Sequence, residues 1–217
     1  MTPDPSSGPA LDVAVELLER SLGHTRMALA AVRPVHLARP TPCDRWDLDD
    51  LLWHMDDALD AFTEAASGRV LPAVARPAVA RPAVARPAAL APEGASGVEA
   101  RLGRLQRKAC HLLGLWSAPS SAPVLVGGLP LPAERLVGAA ALEITVHGWD
   151  VSQATGEARP IPSDLATALL PVAAAAVGVG DRGPRFARAL LLPGGTPADR
   201  RLLAFLGRAP RRLDDVA

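Results

Sequence analysis

The chain has 217 residues, of which 49% are hydrophobic and 21% charged, and its formal net charge is zero with a pI near 7.0. This length fits one domain with a sizeable core. A neutral chain without tyrosine offers neither the basic surface nor the stacking platform of nucleic-acid binding, so we expect no nucleic-acid partner.

We also expect no membrane contact, because no run of about 18 apolar residues occurs. Residues 1–9 are rich in proline and serine and lack the basic and apolar regions of a signal peptide. They are predicted to be a flexible N-terminus, and the expected location is the cytoplasm. Cys43 and Cys110 are far apart and form no C-x-x-C motif, so both are predicted to be free thiols.

The first half of the chain predicts two amphipathic helices. Apolar residues recur at helical spacing over residues 10–31, and Pro34 ends that helix because the residue before a proline disfavours the helical conformation. A second helix is expected to begin after Asp47, a good N-cap residue, and to end at Gly68. Its apolar stripe is predicted to contain Leu48, Leu51, Leu52, Met55, Leu59 and Phe62.

Residues 69–97 are predicted to be an insertion without regular structure. Three copies of Pro-Ala-Val-Ala-Arg run from Pro72 to Arg86. A period of five fits neither a helix nor a strand, and a proline in every copy excludes a regular helix. We interpret the segment as an extended, mobile linker, which is favoured over a docking arm.

The second half predicts further helices and one β-hairpin. The expected elements are a helix over 98–116, a hairpin within 119–132, a helix over 133–154, a helix over 164–177 and a helix over 197–206. Gly156 is the expected C-terminal cap of the fourth helix. Ser163 and Thr196 are the expected N-caps of the last two helices, Pro171 is a predicted kink, and Leu115 is placed on the inner face of the third helix.

These elements predict a mainly all-α protein. Four principal helices with one long connection are typical of a four-helix bundle with a long crossover. We expect the bundle to occupy residues 10–156, with the insertion at 69–97 inside it. Residues 157–217 are expected to form a short C-terminal extension carrying short helices.

Chemistry is most strongly indicated on the fourth helix. Leu136, Ala140, Glu143, His147, Asp150 and Ala154 are spaced by three and four and share one face. The face begins and ends apolar, so Glu143 and His147 are predicted to be buried together. A buried carboxylate normally pairs or binds metal, but a plain hydrogen bond between the two side chains remains the alternative, because this spacing is common.

His54 is the second candidate, because it lies on the apolar stripe of the second helix. A lone inward histidine is more often a core residue than a ligand. Together with Glu143 and His147 it would complete a His₂Glu set with an open position, which is typical of catalytic zinc sites. Asp150 is either an acceptor for an imidazole N–H or an exposed acid, and Asp57, one turn after His54, raises the same question.

The remaining candidates are weaker. His24 and His36 are predicted to be surface or loop histidines, and His111 to be a core or rim residue. Cys43 is predicted to be a structural thiol, because the first turn of the second helix is acidic and would not stabilise a thiolate.

Three segments carry a family resemblance. Thr41-Pro42-Cys43-Asp44-Arg45-Trp46-Asp47-Leu48, with Leu51-Leu52-Trp53-His54 behind it, resembles one signature of the mycothiol-dependent maleylpyruvate isomerase-like family, a branch of the DinB-like helix-bundle superfamily. Leu142–Val151, followed by Ala154-Thr155-Gly156, resembles a second signature, and Asp199–Arg208 resembles the ending of its shorter members. The resemblance covers nearly the whole chain outside the repeat.

The resemblance implies a DinB-like four-helix bundle with a divalent metal on His54, Glu143 and His147. Zinc is expected first, with nickel or iron as alternatives, and mycothiol is the implied thiol co-substrate. The isomerases of the family carry a sizeable C-terminal domain, whereas about 60 residues follow the fourth helix here. The chain is therefore expected to be a short form.

The implied function is a metal-dependent enzyme in which a low-molecular-weight thiol attacks a small electrophile, giving isomerisation or thiol transfer. The alternative is a non-catalytic metal- or small-ligand-binding helical module. The sequence assigns no catalytic residue beyond the ligands and leaves the oligomeric state open, a homodimer included.

Overall fold

The computed structural model describes residues 7–43, 46–70, 95–118, 123–183 and 186–209. The described chain is mainly helical, which confirms the predicted fold class. Its elements are α1 (Ser7–Leu29), α2 (Leu48–Ala65), β1 (Arg69–Val70), α3 (Ala95–Trp116), β2 (Val124–Val126), β3 (Leu129–Leu131), α4 (Ala133–Thr155), α5 (Ser163–Ala176) and α6 (Ala198–Phe205). Short 3₁₀ turns lie at Pro34–His36 and Val179–Asp181.

Helices α1 to α4 form the bundle. The most extensive contact joins α1 to α4, and α2 packs against both α3 and α4. The buried leucines of α2 include Leu48, Leu51, Leu52 and Leu59, as the apolar stripe predicts. On α3 the prediction for Leu115 is wrong: its side chain is exposed, and the neighbouring Trp116 is buried instead.

Two of the predicted helix ends are confirmed. The Asp47 side chain accepts a hydrogen bond from the backbone N–H of Asp50 at 2.9 Å, which satisfies a free donor at the start of α2. Gly156 follows α4 with φ of 84°, a left-handed conformation that favours glycine. The two caps therefore define where α2 begins and where α4 ends.

The predicted caps of the last two helices are wrong. Helix α5 begins at Ser163 itself, after Pro162, and α6 begins at Ala198, after Pro197; neither has a side-chain cap. The hydroxyl of Thr196 donates instead to the carbonyl of Pro193 at 2.7 Å. In both cases the fixed φ of proline supplies a helix start without a polar cap.

The predicted hairpin is present, and a strand that was not predicted joins it. Strands β2 and β3 pair antiparallel, and β1 pairs in parallel with β2, so the sheet order is β1-β2-β3. Strand β1 and the first turn of α3 fall within residues 69–97, so the bundle elements extend into both ends of the predicted insertion. The Pro-Ala-Val-Ala-Arg repeat lies outside the described residues.

The C-terminal part of the chain packs onto the bundle. Helix α5 contacts both α1 and α4, and α6 packs against α5. This arrangement returns Arg208, just after α6, to the side of α4. Among the described helices, none combines the length and apolar character that crossing a membrane requires.

Candidate metal centre

His54, Glu143 and His147 lie together between α2 and α4. His54 Nε2 is 2.7 Å from Glu143 Oε1, and His147 Nε2 is 3.1 Å from the same oxygen. The donor atoms of the three side chains all lie within 4.8 Å of one another. The structure therefore brings together all three residues that the sequence singled out.

The three side chains differ in exposure. His147 is 8% exposed, whereas the side chains of His54 and Glu143 are each 33% exposed. The indole of Trp46 lies against the His54 ring, with 4.7 Å between ring centroids. The cluster is thus buried at His147 and reachable from outside at His54 and Glu143.

Asp150 fixes the orientation of His147. Its carboxylate is fully buried and accepts the Nδ1–H of His147 at 2.9 Å. Because a carboxylate only accepts, the proton must reside on Nδ1, and Nε2 is then the nitrogen that faces Glu143. Of the two interpretations that the sequence left open for Asp150, the buried acceptor is the observed one, and Asp57 is exposed.

Arg208 holds Asp150 from the other side. The guanidinium Nε lies 3.0 Å from Asp150 Oδ1, and Nη2 lies 3.0 Å from Oδ2, which is a two-pronged ion pair. Cys43 completes the group, with its Sγ 3.2 Å from Asp150 Oδ2 and 3.8 Å from His147 Nδ1. Cys43, Asp150 and Arg208, from three separate parts of the chain, therefore meet on the Nδ1 side of His147.

The buried charges shift one another's pKa. Burial alone would raise the pKa of Glu143, but the charge and hydrogen bond of His147 and the hydrogen bond of His54 hold it well below its ordinary value. Burial would lower the pKa of His147, yet Glu143 and Asp150 raise it well above its ordinary value. Burial would raise the pKa of Asp150, but the charge of Arg208, with a contribution from His147, lowers it below its ordinary value.

The residues present fit a divalent metal. Two imidazole nitrogens and one carboxylate oxygen are the donor set of open, catalytic-type zinc sites, and such sets also suit nickel and iron. The buried Asp150 supplies the carboxylate that usually supports a metal-bound imidazole.

A cavity of about 330 Å³ adjoins the centre. Glu143, Ile144 and His147 of α4 form part of its wall, and most of the rest comes from α1, α2 and α3. The wall is predominantly apolar, including Leu22, Leu29, Met55, Leu59, Leu102, Leu105, Leu113 and Ile144. A small molecule in this cavity would therefore lie beside two of the three candidate ligands.

Sequence reasoning missed several members of the site. Arg208 lies in the third segment of the family resemblance, but its contact with Asp150, 58 residues away along the chain, gave no local signal. Trp46 and Cys43 lie within the first family signature, which was the signal available for them. The prediction of His24 as a surface residue is wrong, since its side chain is buried, and His111 is exposed rather than packed.

The sequence matches the family described as "Mycothiol maleylpyruvate isomerase N-terminal domain" over residues 18–152. Uncharacterized proteins Rv0738 and MT0763 of two Mycobacterium tuberculosis strains are each 30% identical over 185 residues, covering 84% of this chain and 91% of the relative. The crystal structure of the mycothiol-dependent maleylpyruvate isomerase is similar at a TM-score of 0.46 and 16% identity. That comparison covers 65% of this chain and spans 60% of the crystallised one.

Proposed function

Because the chain belongs to the mycothiol maleylpyruvate isomerase N-terminal domain family, we propose that it is a divalent-metal-dependent enzyme of thiol chemistry. In this proposal a low-molecular-weight thiol such as mycothiol attacks a small electrophile. The observation that carries it is the convergence of His54, Glu143 and His147 on one point, with His147 oriented by the buried Asp150.

The three residues would hold the metal through two imidazole nitrogens and one carboxylate oxygen, with zinc as the first expectation. A divalent ion there supplies positive charge that favours the thiolate form of a thiol near neutral pH. Asp150 and Arg208 keep His147 in the tautomer that presents Nε2. Trp46 packs beside His54 and restricts how much solvent reaches that ring.

The proposed reaction balances without a further reagent. The thiolate sulfur bonds to one carbon of a conjugated alkene, and the π electron pair moves toward the neighbouring carbonyl. Rotation about the new single bond followed by loss of the thiolate returns the thiol and gives the isomer. Protonation of the carbon instead, by the proton that the thiol gave up, retains the sulfur and gives a thiol-transfer product.

The cavity supports an enzyme over a non-catalytic metal-binding module. A module needs the three ligands but no space beside them for a second molecule. Here about 330 Å³ of space, walled mainly by apolar side chains, adjoins Glu143 and His147. Binding sites for small molecules have this combination of an apolar wall and a few polar groups.

Thiol consumption by zinc-loaded protein tests the proposal. With mycothiol or N-acetylcysteine and a conjugated enone, we expect turnover that stops after removal of metal by a chelator and returns with added zinc. His54→Ala should lack turnover, whereas His111→Ala, which changes an exposed histidine of α3, should retain it. Metal-loaded protein that binds these compounds without consuming thiol would favour the non-catalytic module.

A further inference from the structure

The cavity beside the metal centre indicates which electrophile the site accepts. Resting on the proposed function, we propose that the electrophile is an uncharged, largely apolar molecule that occupies this cavity, while the thiol reaches the metal centre from the exposed side of His54. Family membership alone does not give this assignment; it comes from the side chains that line the cavity in this chain.

The cavity wall offers few polar partners. The hydroxyl of Thr25 is already committed, because it donates to the carbonyl of Ile144 at 2.7 Å. Arg26, Gln106 and Cys110 also line the cavity, but they are exposed residues, so water competes for their polar groups. A polar substrate would lose its water in this cavity without gaining hydrogen bonds in return.

Charge argues against a dicarboxylate in the same space. Among the described residues that line the cavity, Arg26 is the one arginine or lysine, and Glu143 contributes a carboxylate of its own. A metal on the three ligands would supply positive charge for one anionic group at most, because Glu143 offsets part of it. The second carboxylate of a dianion would remain buried against apolar side chains, which is costly.

The size of the cavity and the exposure of His54 assign the two reactants to different sides of the metal centre. A cavity of about 330 Å³ is at the small end for ligand sites, so it suits a single ring or a short chain. A sugar-containing thiol is both too polar and too large for it. The side chain of His54 is 33% exposed, and this outer face gives such a thiol a solvated approach to the same centre.

A homologous series of ligands tests the apolar cavity without relying on activity. Saturated 2-alkanones from 2-pentanone to 2-octanone would be titrated calorimetrically into zinc-loaded protein, with fumarate as the dicarboxylate comparison. Burial of each added methylene, worth about 0.8 kcal/mol, corresponds to a fall in Kd of roughly fourfold. We expect that trend until the cavity is filled, and no measurable fumarate binding.

A matched pair of variants localises the binding. Ala109→Phe on α3 adds a ring at the cavity wall and should weaken 2-heptanone binding at least tenfold, whereas Ala100→Phe, at an exposed position of the same helix, should leave it unchanged. Ala109→Leu repeats the test with a smaller side chain in case the larger one prevents folding. The alkanone titrations of wild type still test the apolar cavity if both Ala109 variants fail to fold.

The outcomes separate this inference from the proposed function. Kd values independent of chain length, or fumarate binding tighter than 2-heptanone, would overturn the apolar assignment even if zinc and thiol turnover were present. Zinc content is measured on the same samples, so failure of the metal centre is recognised separately. With both in place, kcat/KM for the matching alkyl vinyl ketones should rise with chain length, as the alkanone affinities do.

Discussion

His147 links the two halves of the candidate centre, because each of its ring nitrogens faces a different carboxylate. Nε2 faces Glu143 at 3.1 Å, and Nδ1 donates to Asp150 at 2.9 Å. A metal would replace the proton on Nε2, while the one on Nδ1 remains held. The hydrogen bond from Nδ1 to Asp150 therefore fixes the orientation of the ring and, with it, the direction in which Nε2 points.

We predict that Asp150→Asn weakens zinc binding by about 10- to 100-fold, the usual effect of losing a carboxylate that supports a metal-bound imidazole. The measurement is a competition titration against a chelator of known affinity. Asp164→Asn is the matched control, because Asp164 pairs with Arg20 on the surface and is not a member of the candidate centre. Equal zinc affinity in Asp150→Asn and wild type would remove Asp150 from the site.

The buried side chain of His24 makes the free energy of unfolding depend on pH. Burial lowers its pKa below the ordinary value of 6.5, with a smaller contribution from Arg159, and its Nε2 has no hydrogen-bond partner among the residues that the structure describes. The unfolded chain therefore takes up a proton more readily than the folded one, and this contribution to stability is lost as the pH falls below about 6.5.

The prediction for His24 is a difference between two proteins. Between pH 7.5 and 5.5 the free energy of unfolding in urea should fall more for wild type than for His24→Gln, which cannot take up that proton. His111→Gln, at an exposed position of α3, should follow wild type. An equal fall in His24→Gln and wild type would contradict this role.

At the level of single residues, the sequence predicted which three side chains come together, but not the residues that surround them. Glu143 and His147 were predictable because both lie on one helix, where a spacing of four fixes their relation. Adding His54 needed the further assumption that its helix packs against α4. The Arg208 contact depends on how the C-terminal segment folds back, which no local pattern encodes.

Helices α1 and α4 approach each other closely at Gly148. A Cβ atom at this position would overlap the Thr25 hydroxyl and lie 3.0 Å from the Thr25 Cα. Thr25 is in turn tied to α4 through its hydrogen bond to Ile144. The glycine therefore sets the spacing of the two helices one residue away from His147.

Gly148→Ala should destabilise the protein by about 1–3 kcal/mol, the usual cost of overfilling a packed interface. Gly114→Ala, within α3 and with no atom near its added methyl group, should instead stabilise by up to about 1 kcal/mol, because alanine is the better helix former. Urea unfolding curves measure both. A stabilised Gly148→Ala would mean that the helices are not packed this closely.

At the level of elements, helices were predicted better than their ends and better than the sheet. A repeated apolar spacing over many residues identifies a helix and its inner face. Strand β1 has two residues, too few for an alternating pattern. The starts of α5 and α6 depended on proline geometry rather than on the polar caps beside them, so the capping rule selected the wrong residues.

The C-terminal segment contributes a residue to the surroundings of the candidate metal centre. Helix α5 packs against the bundle and α6 packs against α5. Arg208, just after α6, forms an ion pair with the fully buried carboxylate of Asp150 on α4. The segment predicted as a short extension is therefore joined to the bundle by an ion pair at the candidate site. Its folding and the integrity of that site are expected to depend on each other.

Arg208→Met tests this dependence. It leaves the buried Asp150 without its strongest partner, and breaking a buried ion pair from one side costs about 3 kcal/mol or more. Arg20→Met, which breaks a surface pair with the exposed Asp164, should cost under about 1 kcal/mol. Thermal and urea unfolding compare the two, and equal losses would mean that Arg208 does not join the segment to the bundle.

The central claim is that His54, Glu143 and His147 bind a divalent metal, and elemental analysis of the purified, untagged protein tests it most directly. Wild type would be compared with His54→Ala and Glu143→Ala, and with His111→Ala as the control. We predict about one zinc, nickel or iron ion per chain in wild type and in the control, and loss of that ion in the other two variants. Wild-type protein that remains metal-free after incubation with these ions would contradict the claim.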